Sequence, residues 1–165
     1  MKKIYLIRHG NTSFGLNDRS RALDSQGERE SSLVGKFIKD SKISPDIVFS
    51  STSIRTRQTI SIIAGEAKID TKDIVYSDRY YTFSAGRIIE LINGFDESYG
   101  TIFVIGHNPA MMETVAYLTG IRQAGYPTCG LSVLSARGKW RDIVGKSCSL
   151  ELFIAPDELA HIYED

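Results

Sequence analysis

An α/β domain, three layers deep with a mainly parallel sheet flanked by helices, is the architecture this sequence predicts. Three short and continuous apolar runs, residues 4–7, 47–49 and 102–105, read as strands buried on both faces, because a parallel strand covered by helices shows no polar alternation. Between them, apolar residues recur at helical intervals, and strands alternating with helices favour parallel neighbours. With 165 residues the chain is long enough to bury about two thirds of its unfolded surface in one core, so a single domain over residues 1–165 is expected.

The first strand, Ile4-Tyr5-Leu6-Ile7, stops at Arg8-His9-Gly10. Residues 13–22 are polar, without a sustained period, and read as a loop beside that strand end. A helix follows, since Ser25 and Glu28 have the spacing of a capping box and Leu33, Val34, Phe37 and Ile38 then share a face. It fades near Lys42, ahead of Pro45. The second strand spans 46–50, and its exit, Ser51-Thr52-Ser53, offers N-caps for a helix with Arg55 and Arg57 near its first turn and a stripe through Ile60, Ile63 and Ala67. A short strand is expected within 69–75. Ser84 caps a third helix that buries Ile88, Ile89, Leu91 and Ile92 and ends near Gly94. The strand 101–105 then runs into Gly106-His107-Asn108-Pro109, with Asn108 as N-cap and Pro109 as the first residue of a helix reaching Gly120. Residues 131–134 and 150–154 are strand-like and are expected as antiparallel strands at the edge, the last ended by Pro156.

Twenty basic and twenty acidic side chains cancel, and no basic tract announces a nucleic-acid groove or an anionic membrane surface. Met1-Lys2-Lys3 opens like a signal peptide, but the apolar run ends after four residues, short of an h-region, and no segment is long enough to span a bilayer. Cys129 and Cys148 lack the spacing of a redox or zinc site and read as free thiols in a reducing compartment, which makes the cytoplasm the expected location.

Function is concentrated at strand exits. If the three apolar strands are parallel neighbours, Arg8 and His9, Arg55, and His107 share the carboxyl edge of the sheet, where such sheets bind ligands. Two arginines with two histidines describe a pocket for a compact dianion, because guanidinium forks match phosphate oxygens and helix N-termini add backbone donors. A metal site competes with that reading. Without a carboxylate or thiolate at the same strand ends, its ligand chemistry is poor, so no metal and no cofactor is expected.

Arg8-His9-Gly10 after an N-terminal strand, Arg55 within Ser51 to Thr59 in a Ser-x-x-x-Arg-x-x-Gln-Thr setting, and Gly106-His107-Asn108-Pro109 after a late strand together resemble the histidine phosphatase superfamily, also called phosphoglycerate mutase-like. The short chain, with Arg21-Ala22-Leu23 and Gly27 before the first helix, is similar to the SixA-type phosphohistidine phosphatases, although Ala22 and Asp24 stand where that pattern has Pro and Thr. The resemblance implies that His9 attacks phosphorus, that Arg8, Arg55 and His107 hold and neutralise the transferring group, and that Arg21 and Asn11 contact the phosphate or substrate. Arg57 is read as a helix-surface charge. Larger members carry a proton-donating carboxylate after the second strand–helix unit, where this chain offers Asp78, read as either a turn residue or the general acid; Asp18 and Asp24 are weaker candidates.

The implied partner is a phosphorylated substrate, including a protein-borne phosphohistidine. The alternatives are a small-molecule phosphomonoesterase, a phosphoglycerate mutase-like enzyme, disfavoured because the chain has little room for a lid, and a non-catalytic phosphate-binding module. Intact His9 argues against the last.

Overall fold

Seven residues form β1 (Lys2–Arg8), and the four apolar ones at its centre are buried. In the computed structural model, which describes residues 1–164, β4 (Thr101–Gly106) pairs in parallel with β1 on one side and with β2 (Ile47–Ser50) on the other. The expected domain boundary at residue 165 lies outside the described residues. A short β3 (Ile74–Tyr76) adds to β2 in parallel, while β5 (Leu131–Ala136) and β6 (Ser149–Ile154) pair antiparallel beyond β1, giving the order β3-β2-β4-β1-β5-β6.

Alternate residues of the central strands face opposite layers. Tyr5, Ile7, Val48, Phe103 and Ile105 pack under α1 (Ser25–Asp40), α2 (Ile54–Ala67) and α5 (Pro156–Tyr163), which contribute Leu33, Ile38, Ile60, Ile63 and Leu159. Ile4, Leu6, Ile102 and Val104 pack under α3 (Ala85–Asn93) and α4 (Ala110–Thr119) with Ile88, Ile92, Met111 and Val115. Full burial of each such side chain contributes about 1.5–3 kcal/mol. Two-sided burial explains why these strands read as unbroken apolar runs.

β6 stops just before Pro156, as expected, and Pro156 then stands at the first position of α5, a helix that the sequence reading did not place, where its missing N–H is no loss and its fixed φ suits a helix start. Two cap expectations change. The N-cap of α1 is Asp24, not Ser25, and its carboxylate accepts the Gly27 N–H at 2.8 Å. In α4 the backbone cap is Pro109, after a cis Asn108–Pro109 bond, yet the Asn108 side chain still accepts the Met112 N–H at 3.2 Å. The expected cap chemistry is therefore present one residue further from the helix.

Gly27 determines how closely α1 meets the end of β1. A Cβ there would lie 2.1 Å from the Asn11 carbonyl oxygen, and one on Gly10 would lie 2.8 Å from the Gly27 carbonyl oxygen. Helix and turn interlock backbone to backbone, which only two residues without side chains allow.

Candidate active site

Because β2, β4 and β1 are parallel neighbours, their exits share one edge of the sheet. Arg8 ends β1 and His9 follows it, His107 follows β4, and Arg55 is the second residue of α2, beyond β2. The His9 and His107 rings are 5.4 Å apart, and Arg55 Nη2 is 3.0 Å from His107 Nδ1. All four side chains that the sequence singled out converge there.

His9 is 8% exposed, and its Nδ1 lies 2.7 Å from the Gly10 carbonyl oxygen. A carbonyl only accepts, so Nδ1 carries the proton and Nε2 keeps a free lone pair. The turn behind it is pinned where Gly10 N–H donates to Thr59 Oγ1 at 3.0 Å. Burial, joined by the fields of Arg55, Arg8 and Arg21 and opposed by the Gly10 bond, pushes the His9 pKa from 6.5 down to about 4. Burial and then Arg55 push His107 down to about 3. Arg55 can only donate, so His107 Nδ1 accepts from it and the ring proton sits on Nε2, which donates to Ser51 Oγ at 2.9 Å.

Both imidazoles are therefore neutral at physiological pH. Followed by ring-nitrogen NMR, neither His9 nor His107 should titrate between pH 8 and 5.5, and a midpoint near the ordinary value of about 6.5 would contradict the burial argument. The same shifts determine the sign of acid destabilisation. Below about pH 6.5 the unfolded chain binds protons that the folded chain does not, so stability should be undiminished above that pH and decline as pH falls towards 4.

The arginines are tied at their outer ends. Arg8 Nη1 donates to the Tyr126 carbonyl oxygen at 2.6 Å, and Arg55 donates through Nη1 to the Asp18 carbonyl oxygen at 2.6 Å and through Nη2 to Asp18 Oδ2 at 2.9 Å. Arg8 Nε and Arg55 Nε are buried with no hydrogen-bond partner among the described residues. Two unpaired guanidinium N–H groups beside a neutral imidazole suit an anion that brings its own acceptors. Among the described residues, no three His, Cys, Asp or Glu side chains gather as a metal site, and no helix is long and apolar enough to cross a membrane.

The remaining candidates divide. Arg21 reaches the site's edge, 3.5 Å from Asp18 Oδ1 and bonded to Thr12 Oγ1, and its charge is felt at His9. Asn11 Nδ2 donates to Asp24 Oδ2 at 2.6 Å, which braces the α1 cap. Asp24 is thereby occupied as that cap. Asp78 lies in the turn after β3, and its carboxylate accepts from Thr52 and, at 2.9 Å, from Arg19, bonds that hold its pKa below the usual carboxylate value. An exposed, ionised carboxylate paired with arginine has no proton to donate at neutral pH. Arg57 lies on the helix surface, its guanidinium 4.2 Å from the Tyr76 ring centroid.

Sequence reasoning missed the aromatic rim. Tyr81 and Phe83 lie 5.2 and 5.3 Å from the His107 ring, and Tyr81 OH donates to Asp18 Oδ2. The Tyr80-Tyr81-Thr82-Phe83 run after β3 was the available signal. It has no helical or strand period to assign a face, so only the fold reveals which rings point at the site.

A sequence profile of the histidine phosphatase superfamily (branch 1) matches residues 4–79. The uncharacterized protein Rv1276c of Mycobacterium tuberculosis is 30% identical over 162 residues, spanning 91% of this chain and 99% of its own. Among solved structures, a protein of Agrobacterium tumefaciens provisionally named phosphohistidine phosphatase SixA is 29% identical, with a TM-score of 0.79 over 94% of this chain and 98% of its own. The protein histidine phosphatase SixA complexed with tungstate superposes with a TM-score of 0.81 at 19% identity, covering 95% and 99%, a likeness of fold.

Proposed function

We propose, since this chain belongs to the histidine phosphatase superfamily, that it hydrolyses phosphohistidine carried on a protein, without a metal ion, through a covalent phosphohistidine on His9. The likeness to the Agrobacterium protein supports the substrate class. His9 Nε2 donates its lone pair to phosphorus while the bond from phosphorus to the substrate's imidazole nitrogen breaks, its electron pair leaving with the imidazole. Water then attacks the phosphoryl group on His9, and the P–N electrons return to Nε2. Arg8 and Arg55 offer their Nε–H groups to phosphoryl oxygens, and His107, its proton kept on Nε2 by Arg55, turns that N–H from Ser51 Oγ to another phosphoryl oxygen when phosphate binds. The fields that hold the dianion also keep the nucleophile unprotonated.

One observation carries the choice of substrate: the carboxylates offered as proton donors, Asp18 and Asp78, are each held by an arginine and a hydroxyl group. Asp18 is held at a pKa of about 2, first by the Tyr81 hydrogen bond and then by Arg55, and Asp78 is paired with Thr52 and Arg19. An alkyl monoester releases an alkoxide that needs a proton in the transition state, a contribution of about a hundredfold to ten-thousandfold. Phosphohistidine releases an imidazole, which leaves without that help when its second nitrogen is protonated.

The specificity constant for a phosphohistidine peptide should therefore exceed that for an alkyl phosphate by at least about a hundredfold. Asp78→Asn should change phosphohistidine hydrolysis only modestly. A strong monoester preference that disappears in Asp78→Asn would identify Asp78 as the acid and overturn this substrate assignment. Cys129 and Cys148 are free thiols, which supports a reducing, cytoplasmic location for the reaction.

A further inference from the structure

Asp18 has no role in the mechanism above, yet it contacts two of the site's arginines, Arg55 and Arg21. It occupies both Nη atoms of Arg55, one with its carbonyl oxygen and one with its carboxylate, and it lies 3.5 Å from Arg21. Arg55 is 2% exposed, whereas the Asp18 side chain is 43% exposed on the loop between β1 and α1. Two functions fit a carboxylate on a phosphate-binding arginine. It either stands in for phosphate and is displaced by it, or it holds the guanidinium so that another edge meets phosphate.

The geometry favours holding. Displacing Asp18 would mean lifting the main chain, because its carbonyl oxygen binds Nη1 as well. That stretch of main chain is anchored independently. The Asn17 side chain caps the turn by accepting the Ser20 N–H at 3.1 Å, and Arg19 bonds Thr52 Oγ1 and Asp78 Oδ1 at 2.9 Å each while lying 4.1 Å from the Tyr81 ring centroid. Tyr81 OH in turn donates to Asp18. With Nη1 and Nη2 each engaged, Nε is the Arg55 nitrogen that is buried and has no hydrogen-bond partner among the described residues. Arg8 repeats the pattern, an Nη held by a carbonyl oxygen and a buried, unpaired Nε.

We infer that Asp18 is a positioning residue: it clamps the Nη end of Arg55 so that Nε faces the phosphoryl group, and Arg19 with Thr52, Asp78 and Tyr81 anchors the clamp. Asp78, a turn residue or an acid by sequence, is on this assignment the outer anchor of the loop. The inference rests on the phosphatase reading, since it needs phosphate in the site.

Inorganic phosphate binding, measured by calorimetry, tests it without any choice of substrate. Asp18→Ala should weaken phosphate about tenfold, as expected for losing one charge-assisted hydrogen bond, and Asp18→Asn, which keeps an acceptor for Nη2, should recover most of that loss. In an Arg55→Lys background the further effect of Asp18→Ala should shrink to less than about twofold, because a residue acting through Arg55 has nothing left to position. Tighter phosphate binding by Asp18→Ala would show displacement instead, and an unchanged affinity, or a full tenfold loss persisting in Arg55→Lys, would also overturn the assignment. Wild-type protein that bound no phosphate would remove the phosphatase reading itself, and the positioning role with it.

Discussion

His9→Ala should retain less than about a thousandth of wild-type turnover, the usual result of removing one member of a catalytic unit. The remaining donors still bind phosphate, so affinity for inorganic phosphate should change far less than turnover. Wild-type protein incubated with radiolabelled substrate and quenched in alkali should carry an acid-labile label that is missing from the variant, and its turnover should persist in excess chelator. The fold is expected to tolerate the change, because the turn at Gly10 is held by Thr59 and by the interlock with Gly27 rather than by the imidazole. Full activity without His9 would identify another nucleophile and end the covalent mechanism proposed here.

Arg55→Met should lower the specificity constant by about a hundredfold to a thousandfold, the range found when a preorganised donor to the transition state is removed. The loss should appear in phosphate affinity as well as in turnover, since on the proposed mechanism Arg55 Nε meets the dianion before and during reaction. A second effect has a definite sign. Arg55 lowers the pKa of both His9 and His107, so its removal should raise both and move the acid limb of the rate profile to higher pH. Arg55 also supplies the bond that holds the His107 proton on Nε2. An acid limb that stayed in place would mean that burial alone keeps the nucleophile neutral.

The sequence by itself determined the strands and the chemistry at their exits. Unbroken apolar runs identify β1, β2 and β4 because strands buried on both faces tolerate no polar alternation, and Arg8-His9, Arg55 and His107 are legible because charged and imidazole side chains have no place inside such strands. The α/β class comes from the same alternation of short apolar runs and amphipathic helices. Helix caps were less legible. Ser25 had the capping-box spacing, yet Asp24 makes the bond, since adjacent cap-forming residues compete and backbone geometry decides between them.

The tail shows a similar limit. Pro156 follows the end of β6, as read, but it also opens α5, because Leu159 has a core to enter, a fact about the other side of the sheet. Tertiary structure alone decided what surrounds His9. Strand order brings β4 between β1 and β2, and no local pattern encodes order. The same folding closes residues 13–22 over α2, so that Asp18 reaches Arg55 across 37 residues and Tyr81 across 63. Loop residues have no period from which a facing can be read. A carboxylate's role, proton donor or clamp, depends on which cation it meets. For Asp18 and Asp78 those cations are Arg55 and Arg19, and the encounters exist only once the chain has folded.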